Sequence, residues 1–174
     1  MNLFRIVIVI FIGTHAALNA LPPLSEYYET IRPDVEMLAG SYKFGFHQMS
    51  NYEQQLSSKI EKLKKAPEIV LSADGSFRVD NFPTWIEYEP YRYRFGGFVI
   101  AKGTWSLVIV GRMDDGKNGV LEHWGIKLNG LNSAENQPTL LNRANNFEIA
   151  FIFGDPDSGE IILFEKKQES TSEI

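Results

Sequence analysis

Eight segments of this chain alternate apolar and polar residues with a period of two, and this pattern constrains the fold more than any other feature. Short alternating runs are typical of β-strands that bury one face. The segments are centred on the apolar sets Tyr42/Phe44/Phe46, Ile69/Leu71, Phe77/Val79, Tyr91/Tyr93/Phe95, Trp105/Leu107/Ile109, Trp124/Ile126/Leu128, Phe147/Ile149/Phe151/Phe153 and Ile162/Phe164. Eight short antiparallel strands fit a sandwich or a closed barrel, and closure removes edge strands. The alternation also places Trp105 and Trp124 in the core.

One segment instead has helical spacing. Ser50 to Glu53 matches a capping box, in which the serine and glutamate side chains satisfy free backbone amides of the first turn. The apolar residues that follow recur every three or four positions, and Pro67 ends the pattern. We predict a helix from about Asn51 to Lys65, between the first two strands, packed as a lid across one end of the sheet. A helix that binds a partner is the alternative.

Two connections between strands are also predicted. Asp74-Gly75 stands between the second and third alternating segments. This pair predicts a type I′ hairpin turn, because both central residues of that turn have positive φ. The polar stretch from Gly130 to Pro138 is predicted as a long surface loop within one domain.

Met1 to Ala20 has the pattern of a secretory signal. Ile6 to Ile12 is an unbroken apolar run that follows Arg5, and small residues lead up to Ala20. A membrane-spanning helix, the alternative, needs roughly 20 apolar residues. We therefore expect cleavage near Ala20, a mature form without a membrane span, and export to a periplasm or the cell exterior.

The composition limits the chemistry of this 174-residue chain. It contains no cysteine, which excludes disulfides, thiolate-bound metals and a cysteine nucleophile. Its net charge of −5 gives it no general attraction for nucleic acid or anionic lipid, so we predict no nucleic-acid partner. The length fits one domain, predicted over residues 21–167, with a polar, disordered tail over residues 168–174.

Four short motifs occur in an order that resembles a known family. They are Gly40-Ser41-Tyr42, the segment from Leu71 to Phe77, Gly103-Thr104-Trp105, and Phe164-Glu165-Lys166. Over roughly Gly40 to Lys166 the chain resembles small exported bacterial barrels of the lipocalin-like (calycin-like) kind, most of which have no assigned activity. The resemblance implies an antiparallel eight-stranded lipocalin-like barrel. It differs from true lipocalins in two ways: Gly-Thr-Trp comes mid-chain while the first strand has Gly-Ser-Tyr, and a helix separates the first two strands. Both differences argue against a lipid-carrying cavity.

Motifs for catalysis are scarce, and we predict a non-enzymatic protein without a cofactor. No nucleophile elbow, phosphate loop or dinucleotide fingerprint is present. The alternative is a glycosidase with paired carboxylates, for which the candidates are Glu87, Glu89 and Glu122. His47 and His123 are expected to be surface or hydrogen-bonded residues rather than metal ligands. Asp155 to Glu160 is predicted as a turn, with a shortened calcium loop as the alternative.

The most unusual stretch is Asn81–Phe95, which interleaves aromatic residues with two arginines and two prolines. The prolines predict an irregular loop around Glu87–Pro90 at one end of the barrel, with partly exposed aromatic side chains. Tyrosine, tryptophan and arginine are enriched at interface hot spots. The candidate ligand- or partner-binding residues are Trp85, Tyr88, Tyr91, Arg92 and Arg94. The alternative is a strand pair with its aromatics inward and its arginines solvated.

These features together predict an exported, non-enzymatic binding module. We expect it to hold a small ligand or a protein partner at the barrel mouth and loops. The alternative is a periplasmic immunity or inhibitor protein that blocks a toxin or a hydrolase, since an acidic chain suits a basic toxin.

Overall fold

The computed structural model describes residues 23–48, 53–90, 92–114, 116–117, 119–131, 137–143, 146–153 and 161–167. A 3₁₀ turn (Leu24–Tyr27) and helix α1 (Val35–Leu38) precede the sheet, and helix α2 (Glu53–Ile60) lies between its first two strands. The strands are β1 (Gly40–Gln48), β2 (Glu68–Leu71), β3 (Ser76–Glu89), β4 (Arg92–Asp114), β5 (Val120–Asn129), β6 (Thr139–Arg143), β7 (Asn146–Ile152) and β8 (Ile161–Lys166). The predicted signal segment and the predicted tail lie outside the described residues.

The eight strands form one closed barrel in chain order, and each neighbouring pair is antiparallel. β1 pairs with β8, for example at Phe44 and Phe164, and this pairing closes the ring. The prediction of an antiparallel eight-stranded barrel with one helix between the first two strands is confirmed. Within the described ranges, no helix has the length and apolar character needed to cross a membrane.

Two strands differ from the predicted segments. β4 joins two of them into one strand of 23 residues that continues through Gly96 and Gly97. Gly97 has a φ of +127°, which glycine adopts without strain, and it lies at a bulge in β4 where Gly96 is the extra residue. The alternation does not predict β6, because Leu140 faces the barrel interior while Leu141 faces a covered outer wall. A strand buried on both faces has no polar side to reveal it.

The turn between β2 and β3 is not of the predicted type I′. Gly75 has a φ of +82°, whereas Asp74 has no positive φ. The amide of Gly75 donates to the carbonyl of Ser72 at 3.0 Å, and the amide of Ser72 donates to the carbonyl of Ser76 at 2.9 Å. The turn is therefore a longer hairpin connection that ends on a left-handed glycine. The Asp74 carboxylate accepts bonds from the amide and hydroxyl of Ser76.

Helix α2 ends at Ile60, before the predicted end at Lys65. Lys65 instead forms ion pairs with Glu68 at 2.9 Å and with Asp80 at 2.8 Å, which hold the chain against the sheet. Leu56 is only 3% exposed and belongs to the barrel core, so α2 packs on the barrel as a lid. The rest of the predicted capping box, at residues 50–52, lies outside the described residues.

Aromatic side chains fill the barrel interior next to α2. Phe82 stacks on Phe164 with ring centroids 5.7 Å apart and meets Phe151 edge-on at 5.1 Å. Trp85 meets Phe153 edge-on at 4.4 Å. The interior of an eight-stranded barrel is just wide enough for side chains to fill it. The core therefore occupies the space in which other eight-stranded barrels hold a small ligand.

The N-terminal residues close the end of the barrel opposite α2 and cover part of the outer surface of the sheet. Leu38 of α1 is fully buried, and its carbonyl accepts a bond from the Tyr42 hydroxyl at 2.8 Å. We call residues Leu24–Arg32 the N-terminal strap. Its apolar residues pack on outward-facing side chains of β6, β7 and β8, namely Leu141, Ala150, Ile161 and Leu163.

β4 changes partners along its length. Residues from Arg92 to Thr104 pair with β3, and residues from Thr104 to Asp114 pair with β5. The β3–β4 hairpin therefore extends from the end of the barrel that α2 covers, and the β4–β5 hairpin extends from the other end. Gly103 lies next to the point where β4 changes partners. A Cβ at this position would lie 1.8 Å from the Asn129 carbonyl oxygen, so the close approach of the two backbones requires glycine.

Candidate functional site

The predicted binding stretch lies in the β3–β4 hairpin, whose pairing contains register shifts. Strand pairing continues through Ile86 with Arg94 to Glu89 with Arg92, where the turn begins. The prediction of an irregular loop at Glu87–Pro90 is wrong. The strand continues to Glu89, with only a register shift in its pairing between Glu87 and Glu89.

One face of this hairpin belongs to the core. Trp85 is only 8% exposed, so its predicted exposure is wrong. Tyr93 and Phe95 are half-buried, and the Tyr93 ring meets Phe153 edge-on at 5.2 Å. Phe95 meets Phe98 edge-on at 5.0 Å. These aromatic side chains hold the base of the hairpin against the barrel.

Four exposed residues form what we call the hairpin surface: Ile86, Tyr88, Arg92 and Arg94. Glu87, Glu89 and Pro90 of the hairpin are exposed as well. Ile86 is 47% exposed and Tyr88 is 49% exposed. Arg92 and Arg94 are also exposed, and Arg94 lies opposite Ile86 in the pairing. Three of the five predicted site residues therefore lie on this surface, and Tyr91 lies outside the described residues.

Ile86 is the member of the hairpin surface that the sequence analysis missed. It follows Trp85 directly, so the two side chains point to opposite sides of the strand. The alternation around Trp85 could have indicated its outward position.

The two arginines of the hairpin surface differ in their partners. Arg92 forms an ion pair with Glu89 at 3.2 Å. No carboxylate in the described part of the chain lies within 4 Å of the Arg94 guanidinium. A guanidinium is suited to bind a carboxylate through two parallel hydrogen bonds. Arg94 therefore offers a charged donor beside two exposed apolar side chains.

A shallow apolar crevice lies between α2 and the base of the hairpin. Its volume, including space open to solvent, is about 250 Å³. The lining residues are Leu56, Pro83, Thr84, Trp85, Arg94, Phe95 and Ile162. The Lys59 ammonium lies 5.3 Å from the centre of the Phe95 ring. The crevice encloses room for only about one water molecule, so it is not a preformed ligand pocket.

The predicted paired carboxylates do not converge. Glu87 and Glu89 lie near the turn between β3 and β4. Because of the register shift between them, they pair with consecutive residues of β4 and so do not share one face of the hairpin. Glu122 lies on β5, beside the far end of β4, and forms an ion pair with Arg112 of β4 at 3.0 Å. A glycosidase needs two carboxylates at a fixed separation across one bond. The arrangement of these three glutamates does not provide it.

The sequence predicts a surface or hydrogen-bonded His123, and the structure does not place it at the surface. It is 9% exposed, and its ring stacks on Tyr28 with centroids 4.3 Å apart. Its Nδ1 atom has no hydrogen-bond partner among the described residues. Burial lowers the pKa of His123 below its usual value. The side chain of the other candidate, His47, lies outside the described residues.

Three buried carboxylates escaped the sequence analysis: Glu29, Glu68 and Glu148. Glu68 accepts a hydrogen bond from the Ser41 hydroxyl and pairs with Lys65 and Lys167, which together lower its pKa to about 2. Burial raises the pKa of Glu148, and Arg143 at 3.3 Å opposes that shift. Glu29 lies in the N-terminal strap. No sequence motif marks these residues, because each is buried by neighbours distant in the chain.

No cluster of three or more histidine or carboxylate side chains suited to a metal ion occurs in the described ranges. The predicted Asp155–Glu160 turn, with its calcium alternative, lies outside them.

Comparison with protein-family models, curated proteins and solved structures finds no match to this chain.

Proposed function

We propose that this chain is an exported, non-enzymatic binding module that contacts a protein partner through the hairpin surface. The observation that carries the proposal is the projection of the β3–β4 hairpin beyond the barrel with Ile86, Tyr88 and Arg94 exposed. Export rests on the signal pattern of the first twenty residues.

The composition of the hairpin surface supports a protein partner. Tyrosine and arginine are enriched at interface hot spots, where they supply broad contact area and directional hydrogen bonds. The base of the hairpin is held by buried Trp85, so the surface is preorganised. Preorganisation lowers the entropy lost on binding.

The partner should present a carboxylate flanked by apolar side chains. Arg94 would bind the carboxylate, while Ile86 and Tyr88 would cover the apolar groups. Arg92 contributes less, because it already pairs with Glu89. An acidic inhibitor of a basic toxin, the alternative function, would instead use its carboxylates for the contact. The positive charge of Arg94 on the hairpin surface favours the binding module over the inhibitor of a basic toxin.

The packed interior supports a surface site over carriage of a ligand inside the barrel. Phe82, Phe151 and Phe164 are in mutual contact where a ligand would sit, and Leu56 of α2 closes that end. The remaining crevice is small and apolar. A small ligand would have to displace α2 to enter.

The test is capture of partners from the exported fraction of the source cells on the immobilised mature chain. Three variants accompany the wild type: Arg94→Glu, Tyr88→Ala and the control Arg112→Glu, whose arginine is exposed on the opposite hairpin. We expect a protein that the wild type and the control retain and that Arg94→Glu loses at least about tenfold.

Equal retention by all four proteins would overturn the proposal. So would a loss in Arg94→Glu accompanied by a lower melting temperature, because unfolding would then explain it. Mass spectrometry of the purified chain covers the small-ligand alternative: a bound small molecule in place of a protein partner would contradict the proposed contact.

A further inference from the structure

The seam between β5 and β6 is completed by the N-terminal strap. The two strands pair with each other only at Gly125 and Thr139 among the described residues. Beyond that point the amide of Trp124 donates to the carbonyl of Glu29 at 2.8 Å. The amide of Glu29 in turn donates to the carbonyl of Leu140 at 3.1 Å. The strap therefore lies between β5 and β6 and bonds to both strands where they would otherwise pair with each other.

Side chains on both sides of the sheet anchor the strap. Tyr28 stacks on His123 with an interplanar angle of 12°. The Glu29 carboxylate accepts bonds from the amide of Ile31 and from Asn142 Nδ2, each at 2.8 Å. The Arg32 guanidinium lies 5.8 Å from the centre of the Trp124 ring. Removal of the strap would break each of these contacts and open one side of the barrel.

His123 is the titratable group that the strap buries. Tyr28 covers one side of its ring, and Gly111 of β4 lies so close that a Cβ there would be 2.1 Å from Nε2. Its Nδ1 atom has no partner in the part of the chain that the structure describes. A protonated imidazole in this position would be a buried cation with an unsatisfied N–H group, which is costly.

The charged groups on the surrounding elements are paired elsewhere. On β5, Glu122 pairs with Arg112 of β4. On the strap, Glu29 is bound to Asn142 and Ile31, while Arg32 lies over Trp124. On β6, Arg143 pairs with Glu148 of β7 and lies over Tyr27 of the strap. None of these carboxylates is positioned as the partner of a protonated His123.

We propose that the strap is an acid-labile seal, in which protonation of His123 releases Tyr28 and opens the seam between β5 and β6. Release allows the imidazolium to hydrate. It also uncovers the apolar outer wall formed by Leu141, Ala150, Ile161 and Leu163. The cation–π attraction between a protonated His123 and Tyr28 opposes release, but it does not replace the lost hydration of Nδ1.

The pH window follows from the direction of the shift. Burial lowers the pKa of His123 below the ordinary value of 6.5. Above that value the ring is neutral whether the strap is bound or released, so pH has no effect. Below it the released state takes up a proton before the bound state does, and the bound state loses stability as the pH falls.

The test is hydrogen–deuterium exchange of the mature chain at pH 7.5 and pH 5.5, corrected for the intrinsic pH dependence of exchange. For peptides spanning residues 23–32 we expect protection to fall by up to about tenfold at pH 5.5, the ratio set by one pH unit below an ordinary histidine pKa. Peptides spanning residues 68–80 should keep their protection, since β2 and the start of β3 pair with neither the strap nor β5.

Two variants identify the group that titrates. His123→Phe keeps an aromatic ring against Tyr28 but cannot take a proton, so strap protection should become the same at both pH values. Glu29→Gln removes the carboxylate of the strap and should retain the pH dependence. If the pH dependence survives His123→Phe, or if the wild-type strap is equally protected at both pH values, the proposal is wrong.

A second measurement covers a failure of His123→Phe to fold. The wild-type His123 ring can be titrated by NMR alongside the amide of Trp124. The proposal expects the two to change with a common midpoint below 6.5. Titration of His123 without any change at Trp124 would overturn it.

Discussion

The indole N–H of Trp105 donates to the carbonyl of Ser72 at 2.8 Å, which joins the middle of β4 to the turn between β2 and β3. The amide of Trp105 also donates to the carbonyl of Gly75 at 2.7 Å. One residue thus fixes the turn to β4 at the point where that strand changes partners. Trp124, on the neighbouring strand, is only half-buried, and Arg32 lies over its ring.

Replacing Trp105 with alanine should therefore cost more stability than replacing Trp124. We expect a loss of about 3–5 kcal/mol for Trp105→Ala, because it leaves a cavity and removes the bond to Ser72. Trp124→Ala should cost under about 2 kcal/mol, since part of the ring is already solvated. Urea denaturation measures both free energies of unfolding. Equal losses of unfolding free energy in the two variants would contradict the difference in burial between the two rings.

Trp85 and Tyr88 should separate stability from binding. Trp85→Ala is expected to lower the free energy of unfolding by about 3–5 kcal/mol, because the ring packs against Phe82 and Phe153. Tyr88→Ala should change it by less than about 0.5 kcal/mol, since the side chain is half exposed. Thermal and urea unfolding of the two variants provide the comparison. A large loss in Tyr88→Ala would remove this residue from the hairpin surface.

Glu68 should make the fold sensitive to strong acid. Its hydrogen bond from Ser41 and its pairs with Lys65 and Lys167 lower its pKa to about 2, below the ordinary 4.5. A lowered folded-state pKa contributes stability that is present above pH 4.5 and is lost as the pH falls toward 2. The melting temperature of the wild type should drop over this window. Glu68→Gln should be less stable at pH 7 and should show a shallower drop.

The barrel and six of its strands could be predicted from the alternation, but the extent of β4 and the presence of β6 could not. The alternating segments at Tyr91–Phe95 and Trp105–Ile109 are parts of one strand, because Gly96 and Gly97 permit a bulged continuation instead of a turn. β6 was hidden because Leu141 is buried beneath the strap. The predicted number of strands was therefore right through two opposing errors. Both errors depend on contacts between residues far apart in the sequence.

The candidate site could be predicted only as a stretch of chain. Composition directed attention to residues 81–95, but it did not show which side of the hairpin faces the barrel. That assignment depends on Phe153, which meets both Trp85 and Tyr93 from a distant part of the sequence. The strap was also unpredictable, since its backbone bonds to Trp124 and Leu140 leave no pattern in residues 24–32.

Site-specific photo-crosslinking at position 88 tests the hairpin surface most directly. A benzophenone amino acid replaces Tyr88 in cells that produce the chain, and a second protein carries it at Ile100, which is 77% exposed on β4. The account predicts one discrete protein adduct from position 88, lost when Arg94→Glu is added, and no such adduct from position 100. Identical adducts from both positions, or none from position 88, would contradict it.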